Sequence, residues 1–259
     1  MKWYKVTQKE INHLFQQGYQ FSPEDIKELR ADMRVGVQNF IRRWDTLQKE
    51  RERVSRLYHY ERELYKKGLS LIAGVDEAGR GPLAGPVVAG AVILPCECFI
   101  PGLNDSKKIG ESKRYHLAAE IKKKAVAWAV GAVGAHDIDK LNILEATRLA
   151  MIRAVKNLTV WPEYLLTDAV FLREISLSQT VIIKGDAKCA SIAAASILAK
   201  CHRDNLMKIY DQRFPGYGFA RHKGYPTPEH FTYLMHHGET IIHRKTFKGV
   251  VQGDAKDHG

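Results

Sequence analysis

The stretch "LIAGVDEAGRGPLAGPVVAGAVIL", residues 71–94, decides how this chain folds. An apolar run ends in two adjacent acids, Asp76 and Glu77; a glycine-rich turn follows, and then a second apolar run. Two strands joined by so short a loop are read as antiparallel neighbours. That context removes two phosphate-binding readings. Gly74 and Gly79 have the gap of a P-loop, but Arg80 and Gly81 stand where Lys and Ser/Thr are needed. "GRGPLA" matches a dinucleotide fingerprint in letters, yet it leads into Pro86 and a strand rather than a helix.

Two further apolar runs end in an aspartate: "YLLTD" at Asp168 and "TVIIKGD" at Asp186. Functional groups in open sheets gather just beyond strand ends, so Asp76, Asp168 and Asp186 are expected to converge. Carboxylates brought together repel unless a hard cation neutralises them, and Mg²⁺ or Mn²⁺ with oxygen ligands suits such a set. Each acid has a plain structural alternative. Asp186 is placed to cap the helix that follows, Asp168 to make a turn, and Asp76 to pair with Arg80. Neighbours in a regular strand point to opposite faces, so Glu77 joins Asp76 in one site only if the strand breaks there.

Outward from this centre, strand-like runs appear at 71–76, 86–94, 126–133, 164–168 and 180–186. Helical patterns lie at 112–124, 143–157, 190–210 and 228–237, the last with Thr227 as cap, Pro228 inside and Gly238 beyond its end. The alternation implies an α/β or α+β layer fold around one sheet. Residues 1–68 read instead as a helical accessory module. "TQKE" from Thr7 fits a capping box, and Ser22–Pro23 marks a second helix start. From there Ile26, Leu29, Met33, Val37, Phe40, Trp44 and Leu47 lay one apolar stripe along a long helix. Residues 1–67 carry 15 Lys/Arg against 10 Asp/Glu, a surplus that suits a phosphate backbone as well as a solvated face. Residues 249–259 read as a frayed tail.

The 259-residue chain carries a net charge of +11 with pI near 9.4, which suits an anionic partner. Cys96, Cys98, Cys189 and Cys201 form no C-x-x-C pair, which argues against zinc and for free thiols in a reducing compartment. "MKWYKVTQKE" has no apolar signal-peptide core, and no apolar run reaches the ~18 residues of a membrane span. The expectation is a soluble, cytoplasmic monomer with no membrane partner.

Taken in order, "AGVDEAGRGPLAGPVVAGAVIL", "NDSKK", "YLLTDA", "IKGDAKCASIAAASILAKCHRD", "YGFARHKGYPT" and "HRKTF" resemble the bacterial ribonuclease HII family, from Leu71 to Phe247. The ribonuclease HIII type is less similar, since it departs from G-R-G and uses a glutamate as its fourth acid. The resemblance implies a ribonuclease H-like mixed five-stranded sheet flanked by helices over 69–248, with residues 1–68 outside the shared core. It implies hydrolysis of the RNA strand of RNA–DNA hybrids and cutting at single ribonucleotides in duplex DNA, as in ribonucleotide excision repair. The family's four acids fall on Asp76, Glu77, Asp168 and Asp186. Its G-R-G motif falls on Gly79, Arg80 and Gly81, its D-S-K lysine on Lys107, and its substrate-sensing tyrosine on Tyr225. Two divalent ions, with Asp76 bridging, would activate water and stabilise the leaving 3′-oxygen. Gly79 and Gly81 would let backbone groups reach a ribose 2′-hydroxyl, with Arg80 and Lys107 on flanking phosphates. His243 and the pair His236/His237 are left outside the site. A basic binding module without catalysis, or another nuclease of the same superfold, are the rival readings.

Overall fold

The computed structural model describes residues 3–250, so most of the expected tail lies outside the described residues. By compactness the chain divides into units Met1–Arg53 and Val54–Gly259.

In the first unit, Thr7 and Glu10 form the expected capping box at α1 (Gln8–Gln16), and Ser22 with Asp25 forms another at α2 (Pro23–Ala31). The stripe from Ile26 onward does not run along one helix. Asp32 ends α2, its carboxylate takes the Arg34 N–H and guanidinium, and α3 (Val35–Leu57) starts afresh. Met33 falls in this break and is 86% exposed. The remaining stripe still packs: Leu29, Val37 and Phe40 are buried with Trp3, Ile11 and Phe21, and Ile26 and Trp44 lie against them.

In the second unit, α4 (His59–Tyr65) ends the helical run, and Gly68 turns the chain with φ +84°. The division falls inside α3, ahead of the 68/69 boundary expected from composition. Val54, Leu57, Tyr58 and Leu64 are buried among residues of the sheet-bearing unit. Charge and helicity mark 1–68 as one stretch; burial splits it.

The chain then runs through β1 (Ile72–Ala78), β2 (Val87–Ile93), α5 (Glu111–Lys124), β3 (Ala127–Val133), α6 (Ala135–Leu141), α7 (Ile143–Lys156), β4 (Tyr164–Asp168), β5 (Gln179–Ile182), α8 (Ala190–Arg213), α9 (Phe219–His222) and α10 (Pro228–His237). The five strands form one sheet in the order β3-β2-β1-β4-β5. β1 is antiparallel to β2 and parallel to β4, which is parallel to β5, so the sheet is mixed as expected. Short α6 and one-turn α9 were not signalled, since neither is long enough to show a helical period.

α7 covers one face and α8 the other. α8 lies unusually close to the strands: a Cβ on Gly74 would stand 2.1 Å from the Ser191 backbone, and one on Gly90 would stand 2.4 Å from Ala195 O. The small residues of "CASIAAAS" and these glycines are therefore one packing solution, which locks α8 against the strand that carries Asp76.

Candidate active site

Ile72, Gly74 and Asp76 share the α8 face of β1. Glu77 belongs to the opposite face, yet β1 does not break there, because its pairing with β2 continues through Ala78↔Val88. The pairing of β1 with β4 stops earlier, at Val75↔Thr167. Past that point Asp76 curls forward, and its Oδ1 accepts the Glu77 N–H at 2.7 Å. Both carboxylates thus reach the vacated strand edge, where Asp168 closes β4. Ligand oxygens of Asp76, Glu77 and Asp168 lie within 4.8 Å of one another.

Asp186 does not end a strand. β5 stops at Ile182, Lys184 turns with φ +58°, and Asp186 sits in a single 3₁₀ turn. Nor does it cap α8, whose N-cap is Cys189. The turn is tied to the cluster by Gly185 N–H, which donates to Asp168 Oδ1 at 2.8 Å. The Asp76–Arg80 pairing also fails, since Arg80 Nη1 lies 3.4 Å from Glu77 Oε1.

Burial and the neighbouring Glu77 push the Asp76 carboxyl well above its ordinary range, despite a hydrogen bond from Ser196. Burial also raises Glu77, against the pull of Arg80. Asp186 is raised by burial and then by Asp105, an acid not singled out in the sequence although "NDSKK" contains it. Lys107 stands over this group with Nζ 3.7 Å from Asp186 Oδ2. Burial lowers its pKa, but Asp186 and Asp105 outweigh that and hold it above the usual lysine value. One Glu77 oxygen, Oε2, is buried with no hydrogen-bond partner. An all-oxygen donor set with an unsatisfied buried carboxylate oxygen fits a hard divalent cation.

Beside the acids, residues 79–86 form a loop knitted to two distant segments. Leu83 N–H donates to Gly224 O, Gly85 N–H to Ile242 O, and Arg244 N–H to Leu83 O, each at 2.8 Å. Two fully buried arginines, also unsignalled, hold its carbonyls. Arg203 of α8 donates to Pro86 O, Ala84 O and Lys223 O. Arg244 donates to Gly79 O, Arg80 O and Gly85 O. A cation placed on the buried face of α8, four residues after Ala199, was the readable sign of Arg203.

The two glycines of G-R-G differ. Gly79 has φ +94°, and a Cβ there would stand 2.0 Å from Arg203 Nε. Its lack of a side chain serves internal packing. Gly81 is unstrained, and its would-be Cβ meets only Tyr225 Cε1 at 3.7 Å. The half-exposed Tyr225 ring therefore faces Gly81 across the narrow space that a side chain there would fill. Gly79→Ala is expected to lower stability by roughly 3 kcal/mol, whereas Gly81→Ala changes it by about 0.5 kcal/mol or less. Paired thermal melts check this contrast.

A mixed five-stranded sheet in this order, with three carboxylates gathered where the parallel strands β1 and β4 part, is built as the fold and site of a metal-dependent hydrolase. Residues 73–250 match the ribonuclease HII family model, and residues 7–65 match that of the ribonuclease HII N-terminal domain. Relatives named ribonuclease HII include one from Bacillus anthracis, 49% identical over 95% of this chain and 97% of its own. Another, from Desulfitobacterium hafniense, is 52% identical over 89% and 90%. Ribonuclease H2 from Pyrococcus horikoshii superposes with a TM-score of 0.59 at 26% identity, over 69% of this chain and 94% of that one. Ribonuclease HII from Archaeoglobus fulgidus, solved in complex with PCNA, gives 0.56 at 27% identity, over 70% and 95%. The chain belongs to the ribonuclease HII family and is a ribonuclease H-type hydrolase. Among the described residues no helix is long and apolar enough to cross a membrane.

Proposed function

We propose that this chain hydrolyses the RNA strand of RNA–DNA hybrids and cuts at single ribonucleotides in duplex DNA, working as a monomer and leaving 3′-hydroxyl and 5′-phosphate ends. The observation that carries the reading is the pairing of an oxygen-only acidic cluster, Asp76, Glu77 and Asp168, with a loop whose Gly81 faces Tyr225. Asp76, Glu77, Asp168 and Asp186 would hold Mg²⁺ or Mn²⁺, which when bound would supply positive charge to activate water and to ease departure of the 3′-oxygen.

The chain's own residues bind and orient. Gly81, without a side chain, admits a sugar edge to hydrogen-bonding distance of the loop backbone, and Tyr225 closes the gap from the other side. A 2′-hydroxyl there distinguishes ribose from deoxyribose. Arg80, half-exposed at the rim, takes a flanking phosphate. Lys107 lies beside Asp186 and balances the acids' charge while reaching toward the same backbone. Arg203 and Arg244 touch no substrate in this scheme and keep the loop in shape.

The test is a metal-titrated cleavage assay on duplex DNA carrying one ribonucleotide. Cutting at that nucleotide is expected with Mg²⁺ or Mn²⁺ and none with EDTA. The matched all-deoxy duplex should stay intact; its undiminished cutting would favour another nuclease of the same fold.

Residues 1–68 are assigned as an accessory module that adds duplex affinity. A truncation that respects the buried residues of 54–68 ends at Arg53. Removing 1–53, which carries 11 Lys/Arg against 8 Asp/Glu, is expected to weaken duplex binding and to flatten the log K against log salt slope by about one to three units. Binding titrations at several salt concentrations decide it, and equal slopes would refute the assignment.

A further inference from the structure

Three histidines that the scheme above does not use, His222, His230 and His243, are buried together behind the Tyr225 turn. The rings of His222 and His230 stack at 4.4 Å, and His230 Nε2 lies 3.0 Å from His243 Nε2. Their protonation is dictated by backbone groups that have no choice of role. Thr240 N–H donates to His243 Nδ1 at 2.8 Å, so that nitrogen is bare and the proton is on Nε2. His243 Nε2–H then donates to His230 Nε2, which leaves the His230 proton on Nδ1. That Nδ1–H donates to Tyr225 O at 2.9 Å. His222 is fixed in the same way: Gly224 N–H donates to its Nδ1 at 3.1 Å, and its Nε2–H donates to Tyr217 O at 2.6 Å.

We infer that His243 and His230 form a neutral hydrogen-bond relay that positions Tyr225 opposite Gly81, backed by His222. The relay starts one residue before Arg244, which holds the Gly79 and Arg80 carbonyls. Adjacent residues thus set both walls of the gap: Arg244 the glycine wall, His243 through His230 the tyrosine wall. The inference rests on the reading of Tyr225 as the sugar-facing residue.

A proton added to His243 Nδ1 would oppose the Thr240 N–H, and one added to His230 Nε2 would oppose His243. Burial, with the neighbouring histidine, holds His243 down to about 4, and burial lowers His230 and His222 as well. Charged and titratable groups facing the cluster are Asp211 and Arg221 toward His222, Glu239 with its partner Lys245 toward His243, and Tyr217 over the His243 ring. Folded-state values below the ordinary histidine value mean that the relay stabilises the turn above about pH 6.5. That stabilisation is lost as pH falls through the folded-state values.

Two measurements test the relay. Long-range ¹H–¹⁵N spectra of the wild-type protein at pH 7.5 should find His230 as the less common Nδ1–H tautomer, with His243 and His222 as Nε2–H. His230 observed as Nε2–H or doubly protonated overturns the proposal, whatever Tyr225 does. In kinetics on the single-ribonucleotide duplex, His230→Ala should lower kcat/KM about tenfold, the scale of one lost hydrogen bond. His230→Asn keeps a donor near the Nδ1 position and should recover to within about threefold. On a Tyr225→Ala background the His230→Ala loss should disappear, because its effect passes through the tyrosine. Additive losses overturn the relay as a positioning device. A Tyr225→Ala variant that cleaves normally refutes the sugar-facing reading, while the tautomers still decide the relay itself.

Discussion

Asp76→Asn is expected to lower cleavage by about a thousandfold or more while leaving duplex binding largely in place. Asp76 is the most buried acid of the cluster, and an amide lacks the charge with which a carboxylate would hold a cation. Folding should survive. Asn keeps an oxygen for the Glu77 N–H, and the substitution removes a buried charge from beside Glu77 and Asp168. The stability change is therefore opposite in sign to the activity change. Raised carboxyl values mean that the metal-free wild type is favoured at low pH and loses stability as pH rises through those values. Metal-free Asp76→Asn should melt higher than metal-free wild type near neutral pH. Added Mg²⁺ or Mn²⁺ should raise the wild-type Tm and leave the variant nearly unmoved. Melting curves with and without metal, run beside the cleavage assay, check both. A variant that turns over normally would remove the metal-site reading.

Arg244→Met is the second large effect, and it strikes a residue that contacts no acid of the cluster. Its guanidinium is wholly buried, and burial together with the nearby Arg203 brings its pKa down to about 9. Such a charge persists because three loop carbonyls, those of Gly79, Arg80 and Gly85, have no other donor of that shape. Methionine fills the volume and strands the carbonyls, at a loss of roughly 3 kcal/mol or more, which corresponds to about 6–12 °C in Tm. The loop carrying Gly81 loses its anchor as well, so KM for the single-ribonucleotide duplex should rise more than kcat falls. Unchanged melting would show that water replaces the arginine. An equal fall in kcat would place Arg244 in the chemistry.

Much of this was legible beforehand. The strand end at Asp168 and the caps at Thr7, Ser22 and Thr227 were local signals, and local signals survive folding; β1 instead runs two residues past Asp76 to Ala78. The misreadings share a cause. "TVIIKGD" reads as one strand because a β-branched run gives no sign of where pairing stops; here β5 ends at Ile182, and the Lys184 turn places Asp186 on a 3₁₀ turn. Glu77 was expected to need a broken strand because alternation describes a paired strand, whereas β1 loses its β4 partner just before it. The stripe through Met33 fitted a single helix until Asp32 offered the backbone a competing bond.

What the order of residues determined alone was where the strands lie, the acids near their ends and the family that carries them in this sequence. Only the tertiary structure decided that Gly79 makes room for Arg203. It alone joined Leu83 to Gly224 and Arg244 to Gly79, and aligned three histidines behind Tyr225. The reason is physical: periodicity and capping act over a few residues, whereas a buried guanidinium or imidazole finds its partners more than a hundred residues away, or around a turn, only once the chain has closed around it.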